Sequence, residues 1–155
     1  MEAPQVAFTP EQIAERGQDN WQHVLFGTIA YLKHRGLSVE DWAVFLGEQF
    51  APGWGHGYTA RQFMEQAALN VVSAGASLRS LSGNAEWAES VVGDWPPQGK
   101  LASERFSHFF GLTQADVDPF WEIFGPIADY LGFQYEWHRE SQEKLSFTFA
   151  RRERV

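Results

Sequence analysis

The stretch FQYEWHRESQEKLSFTFA, residues 133–150, decides the fold class because its hydrophobic residues recur with a period of two. Phe133, Tyr135 and Trp137 alternate with polar residues, and after a polar interval the same alternation resumes as far as Phe149. Such alternation is typical of strands with one buried face. Two strands around a polar turn predict a C-terminal β-hairpin. Because an isolated hairpin is marginal in water, its aromatic face is expected to lie on the helices or on a second subunit.

Upstream of the hairpin, the hydrophobic period is that of helices with recognisable starts and stops. Thr9, Ser38 and Thr59 each precede such a period and predict three helix N-termini. Gly36 predicts the end of the first helix at about His34. Apolar residues at three- and four-residue steps predict one buried stripe on each helix. The predicted core residues of the first two helices are Trp21, Leu25, Ile29, Leu32, Trp42, Phe45, Leu46 and Phe50.

Three further helices complete the predicted set. A short helix is predicted over residues 84–92, another from Ser103, and a last one from Asp118 to Gly132. The predicted fold class is therefore mainly α within the α+β group: a bundle-like domain of about five to six helices closed by an antiparallel hairpin. Residues 9–150 are expected to form a single globular domain between an N-terminal extension, residues 1–8, and a basic tail, residues 151–155.

Composition and charge limit the classes of function. The 155-residue chain carries a net charge of −8 and contains no cysteine. An acidic body repels phosphate backbones, so no nucleic-acid partner is expected. The absence of cysteine removes disulfides and thiol chemistry, and no uncharged run reaches the length of a membrane span. The sequence thus predicts a cytoplasmic protein without a membrane partner.

Aromatic side chains make up 15% of the residues, with 7 Trp and 13 Phe. Aromatic residues on this scale fit either a bulky core or an aromatic-lined ligand pocket. The loop APGWGHGY, residues 51–58, adds glycines that let a ligand approach the backbone. Asn70 has apolar neighbours at helical spacing, which predicts a buried amide bound to a loop or a ligand. The candidate ligand-binding residues are Trp54, His56, Tyr58, Asn70, Trp121 and Trp137.

Two histidines are candidates for chemistry. His56 could act as a general base, with Asp19 or Glu48 as its acid partner, although a structural loop explains the same residues. Asp19 and His23 lie four apart on the first predicted helix and are weak candidates for metal ligands. A solvated surface pair explains their spacing more simply. No motif specifies a cofactor, and the sequence does not decide whether the protein is an enzyme.

The hypothesis from sequence is a domain that binds or processes a small apolar or aromatic molecule. The alternative is a non-enzymatic protein-interaction domain that pairs as a homodimer through helix faces or hairpin edges.

Overall fold

The computed structural model describes residues 7–97 and 111–153, in which helices precede each of two β-hairpins. The α-helices are α1 (Pro10–His34), α2 (Val39–Phe50), α3 (Ala60–Ser73), α4 (Gln114–Val117) and α5 (Phe124–Leu131). The strands are β1 (Ser77–Gly83), β2 (Trp87–Gly93), β3 (Phe133–Ser141) and β4 (Lys144–Arg151). Two 3₁₀ helices, Ala51–Gly53 and Asp118–Ile123, follow α2 and precede α5. The helix predicted from Ser103 begins outside the described residues.

The predicted helix caps are confirmed at α1 and α3. The hydroxyls of Thr9 and Thr59 accept hydrogen bonds from the backbone N–H groups of Gln12 and Gln62, whose side chains accept from the cap residues in return. These reciprocal bonds satisfy amide groups that a helix end otherwise leaves open. At the end of α5, Gly132 adopts a left-handed φ of 84°. This conformation suits glycine and lets the chain pass directly into β3.

The C-terminal hairpin is confirmed, but it is half of a larger sheet. Strand β4 pairs with β3 on one side and with β2 on the other, and β1 completes the strand order β1-β2-β4-β3. All neighbouring strands are antiparallel. The predicted bundle closed by a lone hairpin is therefore wrong in part: the protein has an α+β fold with a four-stranded sheet.

The helix predicted over residues 84–92 is also wrong, because this segment contains strand β2. The side chain of Asn84, the first residue of the predicted helix, accepts hydrogen bonds from the backbone N–H groups of Glu86 and Trp87. This bonding forms the turn that joins β1 to β2. The side chains of β2 that face inward are small or branched: Ala88, Ser90 and Val92. They differ little in hydropathy from the outward-facing residues between them, so the alternation of a strand is hard to recognise in the sequence.

The inner face of the sheet packs on α3 and α5 through aromatic rings. Phe63 of α3 stacks on Phe149 with ring centroids 3.9 Å apart and planes 18° from parallel. Phe124 of α5 meets Phe147 edge-on at 6.2 Å. All four side chains are buried. The aromatic face predicted for the hairpin thus covers a large buried aromatic cluster.

Three predicted core residues are exposed. Leu25 and Ile29 are buried as predicted, whereas Trp21, Phe45 and Phe50 expose 43%, 55% and 52% of their surface. The hydrophobic period places these residues on apolar stripes, but α1 extends beyond the elements that it packs on. Residues 10–17 of α1 are exposed on every side.

A largely buried ion pair holds the end of the C-terminal hairpin at which the turn joins β3 to β4. Two guanidinium nitrogens of Arg139 lie 2.9 and 2.6 Å from the two carboxylate oxygens of Asp118. The same guanidinium donates to the carbonyl oxygen of Trp95 at 2.8 Å. This planar, forked geometry suits arginine. It joins β3 to the start of the second 3₁₀ helix and to the loop after β2.

Two helix glycines provide a matched test of close packing. A methyl group on Gly47 of α2 would overlap the carbonyl oxygen of Ile123, whereas one on Gly17 of α1 would meet no atom within 4 Å. Gly17→Ala is expected to raise the free energy of unfolding by about 0.5–1 kcal/mol, because alanine favours the helix. Gly47→Ala is expected to lower it by about 1–3 kcal/mol through overpacking. Urea unfolding measures both; equal effects would contradict the close contact at α2.

Candidate functional site

An open cleft of about 700 Å³ lies between the first half of α1 and the rest of the molecule. Its other walls come from the end of α2, the end of α3 and the segment that runs from the second 3₁₀ helix into α5. The described lining residues are Ala14, Gly17, Gln18, Trp21, Phe50, Trp54, Asn70, Ser73, Ala74, Phe120, Trp121, Ile123, Phe124 and Ile127.

Two glutamines of α1 join this helix to the end of α3. The side-chain amide of Gln18 donates to the carbonyl oxygen of Ser73 at 3.0 Å, and that of Gln22 donates to Ala74 at 2.6 Å. The last carbonyl groups of a helix lack partners within the helix, so these amides satisfy them. The bonds fix the position of α1 where it begins to pass beyond the core, and the cleft opens on that side.

Aromatic rings form most of the apolar wall. Trp121 lies parallel to Phe124 with ring centroids 6.2 Å apart, and Phe120 meets Trp21 edge-on at the same distance. Trp54 is held by edge-on contact with Phe63 at 5.2 Å, which anchors this side of the cleft in the core. The wall therefore combines fixed rings with rings that remain open to solvent at the rim.

The polar groups of the cleft lie on α1 and α3. They are the side chains of Gln18, Asn70 and Ser73, and none of the described lining residues is charged. The Ser73 hydroxyl donates to the backbone carbonyl of Asn70 at 2.8 Å. The expected burial of Asn70 is wrong, since this residue is exposed at the edge of the apolar face of α3. Its amide is consequently accessible from the cleft.

The structure separates the predicted ligand-binding residues into three places. Trp54, Asn70 and Trp121 line the same cleft. His56 and Tyr58 border a different, smaller hollow beside α3. Trp137 borders a third hollow at the edge of β3, where its indole N–H donates to Glu122 at 2.7 Å.

His56, the candidate general base, lies in an exposed loop next to α5. Its Nε2 is 2.9 Å from the hydroxyl oxygen of Tyr130, and the two ring centroids are 4.8 Å apart. This contact ties the glycine-rich loop to the end of α5. The proposed partners Asp19 and Glu48 do not border the hollow that contains His56. Its role in catalysis stays a prediction.

Asp19 and His23, the weak metal candidates, lie one turn apart on α1. Asp19 is half-buried and His23 is exposed. Within residues 7–97 and 111–153, no three His, Cys, Asp or Glu side chains are grouped in a way that could hold a metal ion.

Sequence reasoning missed Gln18, Trp21 and Phe50 as residues of the cleft. It assigned both aromatic residues to the core because they continue apolar stripes. The available signal was the pair Gln18 and Gln22, spaced by one helical turn beside the buried stripe of α1. Gln22 is buried, so its amide required a partner on another element.

The cleft wall is bonded to the sheet through Tyr135. Its hydroxyl donates to the carbonyl oxygen of Trp121 at 2.7 Å. Burial, and then the negative charge of Glu122, raise the pKa of Tyr135 well above its usual value. The neutral phenol is therefore the form that the fold favours.

This preference predicts how stability responds to alkaline pH. Because the folded pKa of Tyr135 exceeds the unfolded one, its contribution is complete below about pH 10 and is lost as pH rises towards the folded value. Tyr135→Phe should lower the free energy of unfolding by about 1 kcal/mol at neutral pH and flatten its decline above pH 10. Absorbance titration of phenolate should lose a late phase in the variant. An unchanged late phase would assign it to another tyrosine.

Comparison with known proteins found no matching family model, curated protein or solved structure. In the part of the chain that the structure describes, no helix is both long and apolar enough to cross a membrane.

Proposed function

We propose that this protein binds a small, largely apolar molecule in the cleft between α1 and the aromatic core. The observation that carries the proposal is the grouping of three tryptophans from separate segments around one cavity: Trp21, Trp54 and Trp121. The cavity volume of about 700 Å³ lies within the range of small-molecule sites, about 300–1,000 Å³.

The exposed rings at the rim supply the driving force for binding. Trp21 and Phe50 leave 43% and 52% of their surface in contact with solvent. A ligand that covers them removes apolar surface from water, which contributes about 25 cal/mol per Å². The fixed rings behind them, including Trp121, need no rearrangement to receive it.

The polar side of the cleft supports orientation of the ligand. The carbonyl oxygen of the Gln18 side chain can accept a hydrogen bond, and the amide of Asn70 can both donate and accept. A ligand with a few polar atoms at one end of an apolar body matches this distribution.

A cavity-filling variant tests the proposal. Ala14 lines the cleft, whereas Ile13 lies on the outward side of the same helix and is 61% exposed. Ala14→Trp should weaken binding of the neutral probe N-phenyl-1-naphthylamine by about tenfold or more, because losing two or more methylene-sized contacts at about 0.8 kcal/mol each exceeds the roughly 1.4 kcal/mol of a tenfold change. Ile13→Trp, the control, should bind normally. Probe fluorescence and quenching of intrinsic tryptophan fluorescence measure both affinities.

Two outcomes would overturn it. The probe fails to bind the wild-type protein, or Ala14→Trp and Ile13→Trp bind it as tightly as the wild type. Circular dichroism and urea unfolding of both variants establish that each retains the fold.

A second candidate function, self-association, is favoured by the outward face of α1. Ile13, Val24 and Tyr31 lie on this face at whole numbers of turns and are 61%, 70% and 59% exposed. Ile13 and Tyr31 are equally distant from Gln22 along the helix. An antiparallel pair of α1 helices would therefore place Ile13 of one copy against Tyr31 of the other, as a two-fold interface requires.

This candidate predicts a concentration-dependent dimer that Val24→Arg dissociates. Arginine keeps the helix but places a charge in the centre of the apolar face. The control is Leu69→Arg on α3, where the leucine is 61% exposed and distant from that face in sequence. Analytical ultracentrifugation should give a monomer for the first variant and a dimer for the control. A wild-type monomer at high concentration removes the candidate.

A further inference from the structure

We propose that the cleft selects organic cations: molecules with an aromatic or aliphatic body and one positive charge. This inference rests on the proposed binding function and adds the charge of the ligand. Three features carry it: the distribution of charge over the molecule, the lack of charge in the lining, and the tryptophan rings that border the cleft.

The net negative charge of the protein lies on the segments that supply the walls of the cleft. The segments that form its walls, residues 10–24 of α1, all of α2 and α3, and residues 118–131, contain ten Asp or Glu against two Arg, which gives −8. The rest of the chain holds ten acids and ten bases and is neutral. Ion pairs with Arg139 and Arg152 offset two of the ten carboxylates. The remainder gives a negative potential that attracts cations and repels anions.

The lining opposes anionic ligands at short range as well. No described lining residue offers a positive charge to pair with a carboxylate, sulfonate or phosphate. Moving an unpaired anion from water onto an apolar wall is strongly unfavourable. Fatty acids and phosphorylated metabolites are therefore poor candidates for this cleft.

Aromatic rings can stabilise a cation in the same place. The face of an indole ring carries negative partial charge, and tryptophan is the strongest aromatic partner of ammonium-type groups. Three tryptophans border the cleft, and Trp21 is partly exposed at its rim. An organic cation also has a weaker hydration shell than a small inorganic ion, so that partial desolvation is tolerated on such a wall.

Glu11 and Glu15 are the acids best placed to contribute. Both are exposed on α1 within one turn of the lining residues Ala14 and Gln18. Among the described residues, no cation pairs with either carboxylate, so neither negative charge is neutralised locally. Their substitution changes the field without altering the lining.

The test compares two ions of nearly equal size and shape but opposite charge. Isothermal titration or tryptophan quenching with tetraphenylphosphonium, the cation, should give an affinity at least about tenfold higher than with tetraphenylborate, the anion, a difference of about 1.4 kcal/mol. Added salt should lower the affinity for the cation and leave the affinity for the neutral naphthylamine probe unchanged, because screening acts on charge alone.

Variants assign the effect to the field around the cleft. The double variant Glu11→Gln with Glu15→Gln should lower the affinity for the cation about two- to fivefold, as expected for exposed charges near a surface site. Its affinity for the neutral probe should not change. The control, Glu136→Gln with Glu153→Gln, removes the same charge from β3 and from the residue that follows β4 by two positions. It should change cation affinity less.

The outcomes separate this inference from the proposed function. If the neutral probe binds and responds to Ala14→Trp, but the anion binds as tightly as the cation, the cleft is a binding site without charge selection and the inference is wrong. Equal loss in both double variants would also overturn it, since the effect would then come from net charge alone. If neither ion nor the neutral probe binds, the proposed function fails as well.

Discussion

Burial of the aromatic face of β3 and β4 is the constraint on which the rest of the structure depends. Phe147 and Phe149 lie on that face and contact rings supplied by α3 and α5. A fully buried phenylalanine contributes about 1.5–3 kcal/mol relative to an exposed one. Two helices cover this face, and β2 pairs with the edge of β4 that β3 leaves open. The hairpin β1–β2 thus completes the sheet that the C-terminal hairpin begins, although β1 starts 56 residues before β3.

The parts of the fold that depend on local chemistry could be predicted, and those that depend on distant partners could not. The caps at Thr9 and Thr59 and the stop at Gly132 use side chains and backbone angles within a few residues. Strand β2 differs because Asn84 serves equally well as a helix cap or as a turn residue. The edge offered by β4 decides between the two, and no local pattern in residues 84–92 records that edge.

The candidate site shows the same division. Trp54, Asn70 and Trp121 could be selected from sequence because aromatic excess and an isolated amide are local signals. Trp21 and Phe50 could not, because both continue apolar stripes that are buried elsewhere along their helices. Exposure at those positions depends on how far α1 and α2 extend past the elements beneath them. That extent follows from helix length and packing, and the spacing of hydrophobic residues along a helix does not record it.

The two glutamine amides that join α1 to α3 have a mechanical consequence. A hydrogen bond contributes about 1 kcal/mol net, whereas separating the stacked rings of the core would cost several times as much. The wall formed by the protruding part of α1 is consequently held less strongly than the opposite wall, which is built on Trp121 and Phe124. A small tilt of α1 would therefore change the width of the cleft while the sheet and its register stay unchanged.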